Sequence, residues 1–464
     1  MSTRNLADVL DPEHRFDWPV CHDAENFLLA QLDDFLARNT FARDLARRML
    51  EETGTLLLDW VDSLSLPASD EAKIRALGFA PDPLAATPKG QRAFHHPESV
   101  LPRIILDDAA GRFPNALSIH PESVVDFLGA HGVTREIQGD PLTSFRRALV
   151  SDEDGTCFYA VERRGSRSFV PEAAKSGQTK ALLKAHELWQ TRRRQFDKDD
   201  DGYAWTFVLI DQLIDRIGRD LACHVVFSGE RIFWQRRNRA ARVQKARQDT
   251  VGLGWGNHDH HTFRSSRSQF VHLMEAMERL GFDRRERYYA GEQAGWGAQI
   301  MEQPVEGIVI FCDVDLLPEE TEIDFSRETL APAPRLGTIG LWCGLHGESF
   351  LEAGMHHLEA RFDYALCREQ LAAAGIQTMK PFSDFDFLKQ AFTEGERWPV
   401  RRQRAQRLLD HRLIDDAQFA KFVTEGAIGS HLENLQRKGG FKGFNQTSVS
   451  AIIAAVDPRK QAGH

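Results

Sequence analysis

The sequence predicts an α+β fold in which paired β-α-β-β-β modules form a curved mixed sheet around a metal ion. Strand and helix patterns follow one another in that order clearly once, after residue 255, and again from residue 354 with an insertion. Histidines open the first strand of both units. Helical sequence before and within these units is expected to pack outside the sheet.

The first half of the chain is predicted to contain two regions. Residues 1–95 form a helical N-terminal region, because residues 23–64 place apolar side chains at helical spacing with charges between them. Residues 96–250 form a degenerate β-α-β-β-β module followed by helices. Its pattern is a strand at LPRIILDD, a helix ending at Gly132 and three short strands up to TCFYAVERRG.

The second half is predicted to contain the two metal-binding modules. Residues 251–335 form the first: a strand at WGNHDHHTFRSS, an amphipathic helix closed by Gly281, and three further strands ending in GIVIFCDVDL. Residues 336–464 form the second, with strands at GMHHLEARF and SHLENLQR. Residues 384–426 are predicted as a helical insert, and the last residues as a closing helix.

Composition excludes several classes of protein. The formal net charge is −10 and the pI is near 6.0, which disfavours a nucleic-acid or anionic-membrane binder. The arginine-rich helix ERIFWQRRNRAARVQKARQD is therefore interpreted as a domain-bridging helix rather than a groove binder. No signal peptide or membrane span is expected. The six cysteines form no C-x-x-C pair, so we expect a reduced, cytoplasmic protein; the oligomeric state is left open.

Two predicted strands share the pattern H-x-x-x-R. The first runs from His260 to Arg264 and the second from His357 to Arg361. Residues four apart lie on the same face of a strand, about 13 Å apart. Each strand can therefore present an imidazole to a metal and a guanidinium to an anion beside it.

A third metal ligand should come from a strand late in the second unit. Glu433 is the best-placed candidate, whereas Glu359 shares the strand of His357 but would crowd that histidine. Two histidines and one carboxylate suit Fe(II), and other divalent metals remain alternatives. The register also stays open: His258 and His261 compete with His260, and His356 with His357, since a slip of one residue reverses the face.

The first unit resembles the vicinal oxygen chelate superfamily, and within it the 2-oxoadipate dioxygenase/decarboxylase family. The resemblance lies in HDHHTFR, the following helix, RRERYYAGEQAGWGAQIME and GIVIFCDVDL. The end of the chain is similar to 4-hydroxyphenylpyruvate dioxygenase, in an E-x-x-Q-R strand beginning at Glu433 and a G-F-x-x-x-N segment containing Phe441 and Asn445. The likeness covers residues 255–460.

The resemblance implies an Fe(II)-dependent dioxygenase with dioxygen as co-substrate. The ligands would be His260, His357 and Glu433, and the substrate a 2-oxo acid similar to 2-oxoadipate that is decarboxylated to a 2-hydroxy acid. Arg264 would hold a substrate carboxylate as a catalytic residue. Arg361, Phe441 and Asn445 are weaker candidates for substrate binding. The alternatives are a ring-cleaving dioxygenase, a metal-dependent isomerase or lyase, and a non-catalytic binding protein of the same fold.

Overall fold

The computed structural model describes residues 18–108, 115–290, 295–333 and 335–445. The chain enters through helices α1 (His22–Arg38) and α2 (Thr40–Arg48). Asn39 begins α2, because its side chain accepts a hydrogen bond from the backbone N–H of Ala42. A short π-helical turn at Met49–Thr53 then leads to the first sheet.

Two β-α-β-β-β modules form the N-terminal half of the described chain. The first module is β1 (Val61–Pro67), α3 (Glu71–Ala76), β2 (Ala80–Pro81), β3 (Gln91–His95) and β4 (Arg103–Asp107). The second module is β5 (Asn115–Ile119), α4 (Val124–Ala130), β6 (Ile137–Gln138), β7 (Phe145–Glu153) and β8 (Thr156–Arg163). Within the described residues these strands form one sheet of eight, in the order β2-β3-β4-β1-β5-β8-β7-β6.

A helical layer joins the two halves. It consists of α5 (Gln178–Gln190), α6 (Asp199–Ile217), α7 (Arg219–Gln235) and α8 (Arg239–Thr250). The arginine-rich segment spans the end of α7 and all of α8, and several of its side chains bind other parts of the protein. The Arg237 guanidinium stacks on Trp398 at 3.7 Å, and Arg247 donates to the backbone oxygen of Glu52 at 2.9 Å.

Two more modules of the same order form the C-terminal half. The third module is β9 (His258–Arg264), α9 (Phe270–Arg279), β10 (Asp283–Tyr289), β11 (Trp296–Gln303) and β12 (Ile308–Asp315). Helix α10 (Thr338–His346) follows. The fourth module is β13 (His357–Arg361), α11 (Tyr364–Ala373), β14 (Ser383–Phe385), β15 (Leu388–Phe392), β16 (Glu396–Trp398), α12 (Arg402–Asp410), α13 (Asp416–Glu425) and β17 (Ala427–Arg437).

The second sheet repeats the topology of the first. Its strand order is β10-β11-β12-β9-β13-β17-β15-β14, with β16 pairing with β17. In each half, the first strands of the two modules pair antiparallel in the middle, as β1 with β5 and β9 with β13. Each of these strands also pairs parallel with the last strand of its own module. The predicted α+β fold of paired modules is therefore confirmed.

The structure differs from the predicted organisation in three regions. Residues 61–95 contain β1, β2 and β3 and only the short helix α3, because Leu64 and Leu66 alternate with Ser63 and Ser65 at the two-residue period of a strand. The predicted strand LPRIILDD does not open a module: it is β4, the last strand of the first module, and the second module begins with β5. The predicted helical insert contains α12 and α13 but also β15 and β16, which are too short for their period to show in the sequence. The predicted closing helix lies outside the described residues.

Each half has its own hydrophobic core. Leu28, Phe35, Leu64, Phe127 and Phe158 belong to the N-terminal core, which lies between helices α1 to α4 and the first sheet. The larger C-terminal core packs α5 to α9 against one face of the second sheet. The opposite face of that sheet is left for the site described next. No helix among the described residues combines the length and apolarity needed to cross a membrane.

Candidate metal centre

Four potential metal ligands come together on the inner face of the second sheet. His260 lies on β9, His357 and Glu359 on β13, and Glu433 on β17. The strands are neighbours, and Glu359 is directly opposite Glu433 in the parallel register of β13 and β17. His357 and Glu359 share a face because strand residues two apart point the same way. All four side chains are buried.

Donor atoms of three of these side chains lie within reach of a single ion, and His357 adjoins the group. One donor atom each from His260, Glu359 and Glu433 lie within 4.8 Å of one another. Nε2 of His260 lies 2.5 Å from Oε1 of Glu359. Nε2 of His357 lies 2.8 Å from the same oxygen and 3.4 Å from Oε2 of Glu433. Two imidazoles and two carboxylates fit a divalent cation, which would compensate the charge of adjacent buried carboxylates.

Burial shifts the pKa of each of these groups toward the neutral form. It raises the pKa of Glu433 to about 7, and it holds the pKa of Glu359 well above its ordinary value, with the nearby Glu433 adding to the effect. It lowers the pKa of His260 to about 4 and that of His357 well below its usual range. Neutral imidazoles are the form that binds a metal, and a bound cation would favour ionised carboxylates.

Polar contacts reach three of the four side chains. Oδ1 of Asp259 lies 3.0 Å from Nδ1 of His260, which leaves Nε2 of that ring facing the site. Nε2 of Gln390 donates to Oε1 of Glu433 at 2.8 Å. Hydrogen bonds of these two kinds fix the orientation of metal ligands. Oγ1 of Thr262 lies 2.8 Å from Nε2 of His357, the nitrogen that faces the carboxylates.

A cavity of about 80 Å³ adjoins the donors, and aromatic side chains form much of its wall. Phe444 meets the His260 ring edge-on at 4.9 Å, and Phe311 meets the same ring at 4.9 Å. Further aromatic residues of the wall are Tyr288, Trp296, Phe382 and Phe392. Polar side chains also line it, among them Arg264, Asp313 and Gln390, so the pocket combines an aromatic wall with buried polar groups.

Arg264 is a buried cation in this cavity. Burial lowers its pKa to about 10, and its guanidinium lies over the Trp342 ring at 5.5 Å. Asp313 is opposite it in the register of β9 and β12, and burial raises the pKa of that carboxyl to about 7 despite the neighbouring arginine. Among the described residues Arg264 forms no ion pair, and its Nε hydrogen has no acceptor. The guanidinium is thus available to an anion.

Not all of the predicted site residues come together here. Asn445 lines the cavity and donates from Nδ2 to the backbone oxygen of Phe382 at 3.0 Å. Phe441 packs on Phe387 instead, and the aromatic residue at the cavity is Phe444. Arg361 lies at the end of β13 and turns away, since Asp59 and Asp259 attract its guanidinium at 3.7 Å. The structure therefore does not place Arg361 or Phe441 for substrate binding.

The competing histidines are also separated. His258 lines a second cavity on the other side of β9. His261 packs against the Phe227 ring on the core side of the sheet. His356 borders the metal cavity, but its Nδ1 lies 3.0 Å from the backbone oxygen of Gly429. That His260 and His357 rather than these neighbours bind the metal stays a prediction, which the position of their Nε2 atoms beside carboxylates supports.

Glu359 is a site residue that was not among the predicted ligands. A strand carries His357 and Glu359 on one face, so the two-residue period could have included both. Asp259, Thr262 and Gln390 are polar residues at strand positions, and only the three-dimensional register shows which ligand each contacts.

No protein-family model matches this sequence, and no curated protein does. Among solved structures, a glyoxalase superfamily protein from Ralstonia eutropha JMP134 is 14% identical, with a TM-score of 0.32, over 57% of this chain and 97% of that chain. A triple mutant of 4-hydroxymandelate synthase from Streptomyces coelicolor is 14% identical, with a TM-score of 0.29, over 87% of this chain and 99% of that chain. Methylmalonyl-CoA epimerase from Mycobacterium tuberculosis is 11% identical, with a TM-score of 0.23, over 39% and 88%. Because these scores are low, the conclusion that the chain consists of paired modules rests on its own strand order and register.

Proposed function

We propose that the protein is a non-heme Fe(II)-dependent dioxygenase that converts a 2-oxo acid similar to 2-oxoadipate into a 2-hydroxy acid with loss of carbon dioxide. The observation that carries this proposal is the meeting of buried imidazoles and carboxylates beside an available guanidinium in one cavity. Two histidines and one carboxylate leave open positions on iron for oxygen and for a chelating substrate.

In this proposal His260, His357 and Glu433 hold the metal, and Glu359 lies beside it as a second carboxyl group. Bound iron would supply the activation of dioxygen. The chain's own contribution is to orient the reactants and exclude water: Arg264 binds a substrate carboxylate, and the aromatic wall keeps the pocket dry. The small-molecule carboxylate is the proposed partner of this site.

The test compares iron content and oxygen consumption in the wild type and in His260→Ala, His357→Ala and Glu433→Ala. His346→Ala and Glu348→Gln are matched controls, because both side chains are buried but bind elsewhere, to Ile428 and to Ser265 and Ser266. We expect the three ligand variants to lose iron and 2-oxoadipate-dependent oxygen uptake, while the controls keep both. Equal iron content in all six proteins would contradict the proposed ligands.

Glu359 favours a second candidate, a metal-dependent isomerase or lyase in which all four side chains bind the ion. Its Oε1 lies close to both histidines, as a fourth ligand requires. Glu359→Gln separates the two candidates. If three ligands bind the metal, the variant keeps its iron. If all four side chains bind it, the variant loses metal affinity. An isomerase or lyase also predicts that the wild type consumes no oxygen.

A further inference from the structure

A second cavity, of about 480 Å³, lies between the two halves of the protein. Its wall includes the residues before and at the start of β1, the end of β8, one face of α7 and the start of β9. Strand β9 separates it from the metal cavity: His258 and Asp259 line the cavity between the halves, and His260 lines the other. Its volume falls in the range of small-molecule sites, about 300–1,000 Å³.

Most charges on the wall of this cavity already have partners. Asp62 accepts from Arg103 and from Arg163, the latter at 2.7 Å, and Asp82 pairs with Arg167 at 2.5 Å. The remaining pairs are Glu302 with Lys442, Glu306 with His224, and Asp259 with Arg437. Each of these charged groups therefore has a partner in direct contact.

Arg231 is the exception. It lies on α7, is nine-tenths buried and lines the cavity. Among the described residues it forms no ion pair, and its hydrogen bond from Nη1 to Nε2 of His261 is long, at 3.5 Å. Burial lowers the pKa of the guanidinium, although Glu122 and Glu306 oppose this from a distance.

Those two carboxylates are committed to other groups. Oε2 of Glu122 lies 3.0 Å from Nζ of Lys245 and accepts from the backbone N–H of Trp255 at 3.1 Å. Oε2 of Glu306 lies 3.0 Å from Nδ1 of His224. Arg231 is therefore a buried charge that no side chain in reach neutralises, a costly arrangement unless an anion is supplied from outside.

The neighbouring His120 does not supply a charge either. Burial lowers the pKa of His120 to about 4, so the ring is neutral at pH 7. It lines the cavity and offers a hydrogen-bonding nitrogen without adding charge. What Arg231 lacks is an anionic partner in direct contact, and its planar guanidinium binds oxyanions in a two-pronged geometry.

We propose that the cavity between the halves binds a small polar molecule through one oxyanion, a carboxylate or a phosphate, held by Arg231. The site is distinct from the metal centre because β9 stands between them. A guanidinium of this kind on the cavity wall would otherwise face only water.

The experiment measures thermal unfolding with increasing sodium acetate or sodium phosphate at constant ionic strength, with chloride as the reference salt. A ligand that binds the folded state raises Tm in a saturable way. We expect this for the wild type and for Arg236→Gln, which removes an exposed charge at the end of the same helix. We expect no saturable rise for Arg231→Met. A rise with acetate identifies a carboxylate site, and a rise with phosphate identifies a phosphate site.

Three outcomes would overturn the proposal. One is the absence of a saturable rise with either anion, which leaves a cavity filled with water. Another is a rise that survives Arg231→Met. The third is a rise lost in Arg264→Met but kept in Arg231→Met, which places the anion at the metal cavity. If Arg231→Met does not fold, Arg231→Lys is used, which keeps the charge but not the planar group, and at least tenfold weaker binding is expected.

Discussion

Asp259 determines which nitrogen of His260 can bind a metal. Its Oδ1 lies 3.0 Å from Nδ1 of His260 and 3.1 Å from Nη2 of Arg437. Burial disfavours the charged carboxyl, but Arg437 and His260 outweigh it and hold the pKa of Asp259 well below its ordinary value. A carboxylate therefore accepts the proton of Nδ1 and leaves the lone pair of Nε2 directed at the site.

We predict that Asp259→Ala lowers iron affinity by about 10- to 100-fold, as loss of such a contact to a ligand usually does. Asp259→Asn should lower iron affinity less, because its amide oxygen can still accept the hydrogen bond from Nδ1 of His260. The measurement is competition for iron against a chelator of known affinity. Affinity unchanged in Asp259→Ala would show that the contact does not position His260.

Arg264 is expected to act on substrate and not on metal. Replacing it with glutamine keeps a polar side chain but removes the charge available to a carboxylate. A hydrogen bond to a charged group contributes about 1.5–3 kcal/mol, so KM for the 2-oxo acid should rise by about 10- to 100-fold. Iron content should be unchanged. A normal KM, or loss of iron, would refute this role.

The residues also show what a sequence can predict about a site. Residue type and strand periodicity limited the candidates for His260, His357 and Glu433, but they left the register open, and the choice followed the family resemblance. Arg361 has the same spacing from its histidine as Arg264, yet it points to Asp59 and Asp259. Its direction depends on carboxylates distant in sequence, which periodicity does not include.

At the scale of elements, charged pairs join strands whose register the sequence alone does not give. Asp62 on β1 accepts from Arg103 on β4 and from Nε and Nη2 of Arg163 on β8, the latter two at 2.7 and 3.0 Å. The aspartate is buried. Of these three strands, β4 and β8 were predicted from the sequence, whereas β1 lies in the region predicted to be helical.

These contacts predict an acid-sensitive contribution to stability. Burial disfavours ionised Asp62, but Arg103 and Arg163 outweigh it and hold its pKa far below the ordinary value. A depressed folded-state pKa stabilises the protein above the unfolded-state value, about 4, and the benefit declines as pH falls below that value. Asp62→Asn should cost about 3–5 kcal/mol at pH 7. Denaturant unfolding should show the difference narrowing below about pH 4, and a difference independent of pH would contradict this.

At the scale of the whole molecule, the chain repeats one arrangement. Each half of the described chain has two modules joined by antiparallel first strands. The group of potential metal ligands found in the described residues is in the second half. The sequence showed this duplication faintly, because β2 and β6 have two residues each and carry almost no periodic pattern. The repeated topology is clear only from strand pairing.

The halves meet closely at Gly54, which gives a direct test of how much their contact stabilises the fold. Gly54 has φ +67°, and its carbonyl accepts from the backbone N–H of Asp363 at 2.8 Å. A Cβ there would lie 2.8 Å from Cα of Cys367, on helix α11 of the other half. Gly132 is a matched control, with φ +62° and nothing within 4 Å of an added Cβ.

Gly132→Ala should therefore lower the free energy of unfolding by about 1–2 kcal/mol, which is the cost of a left-handed backbone conformation for a residue with a side chain. Gly54→Ala should lower it by a further amount of about 1–3 kcal/mol, because backbone atoms of the opposite half must move to admit a methyl group. The free energies of unfolding of both variants, measured in urea, give the difference. If the two variants lose the same free energy of unfolding, the close approach of Gly54 to α11 does not contribute to stability.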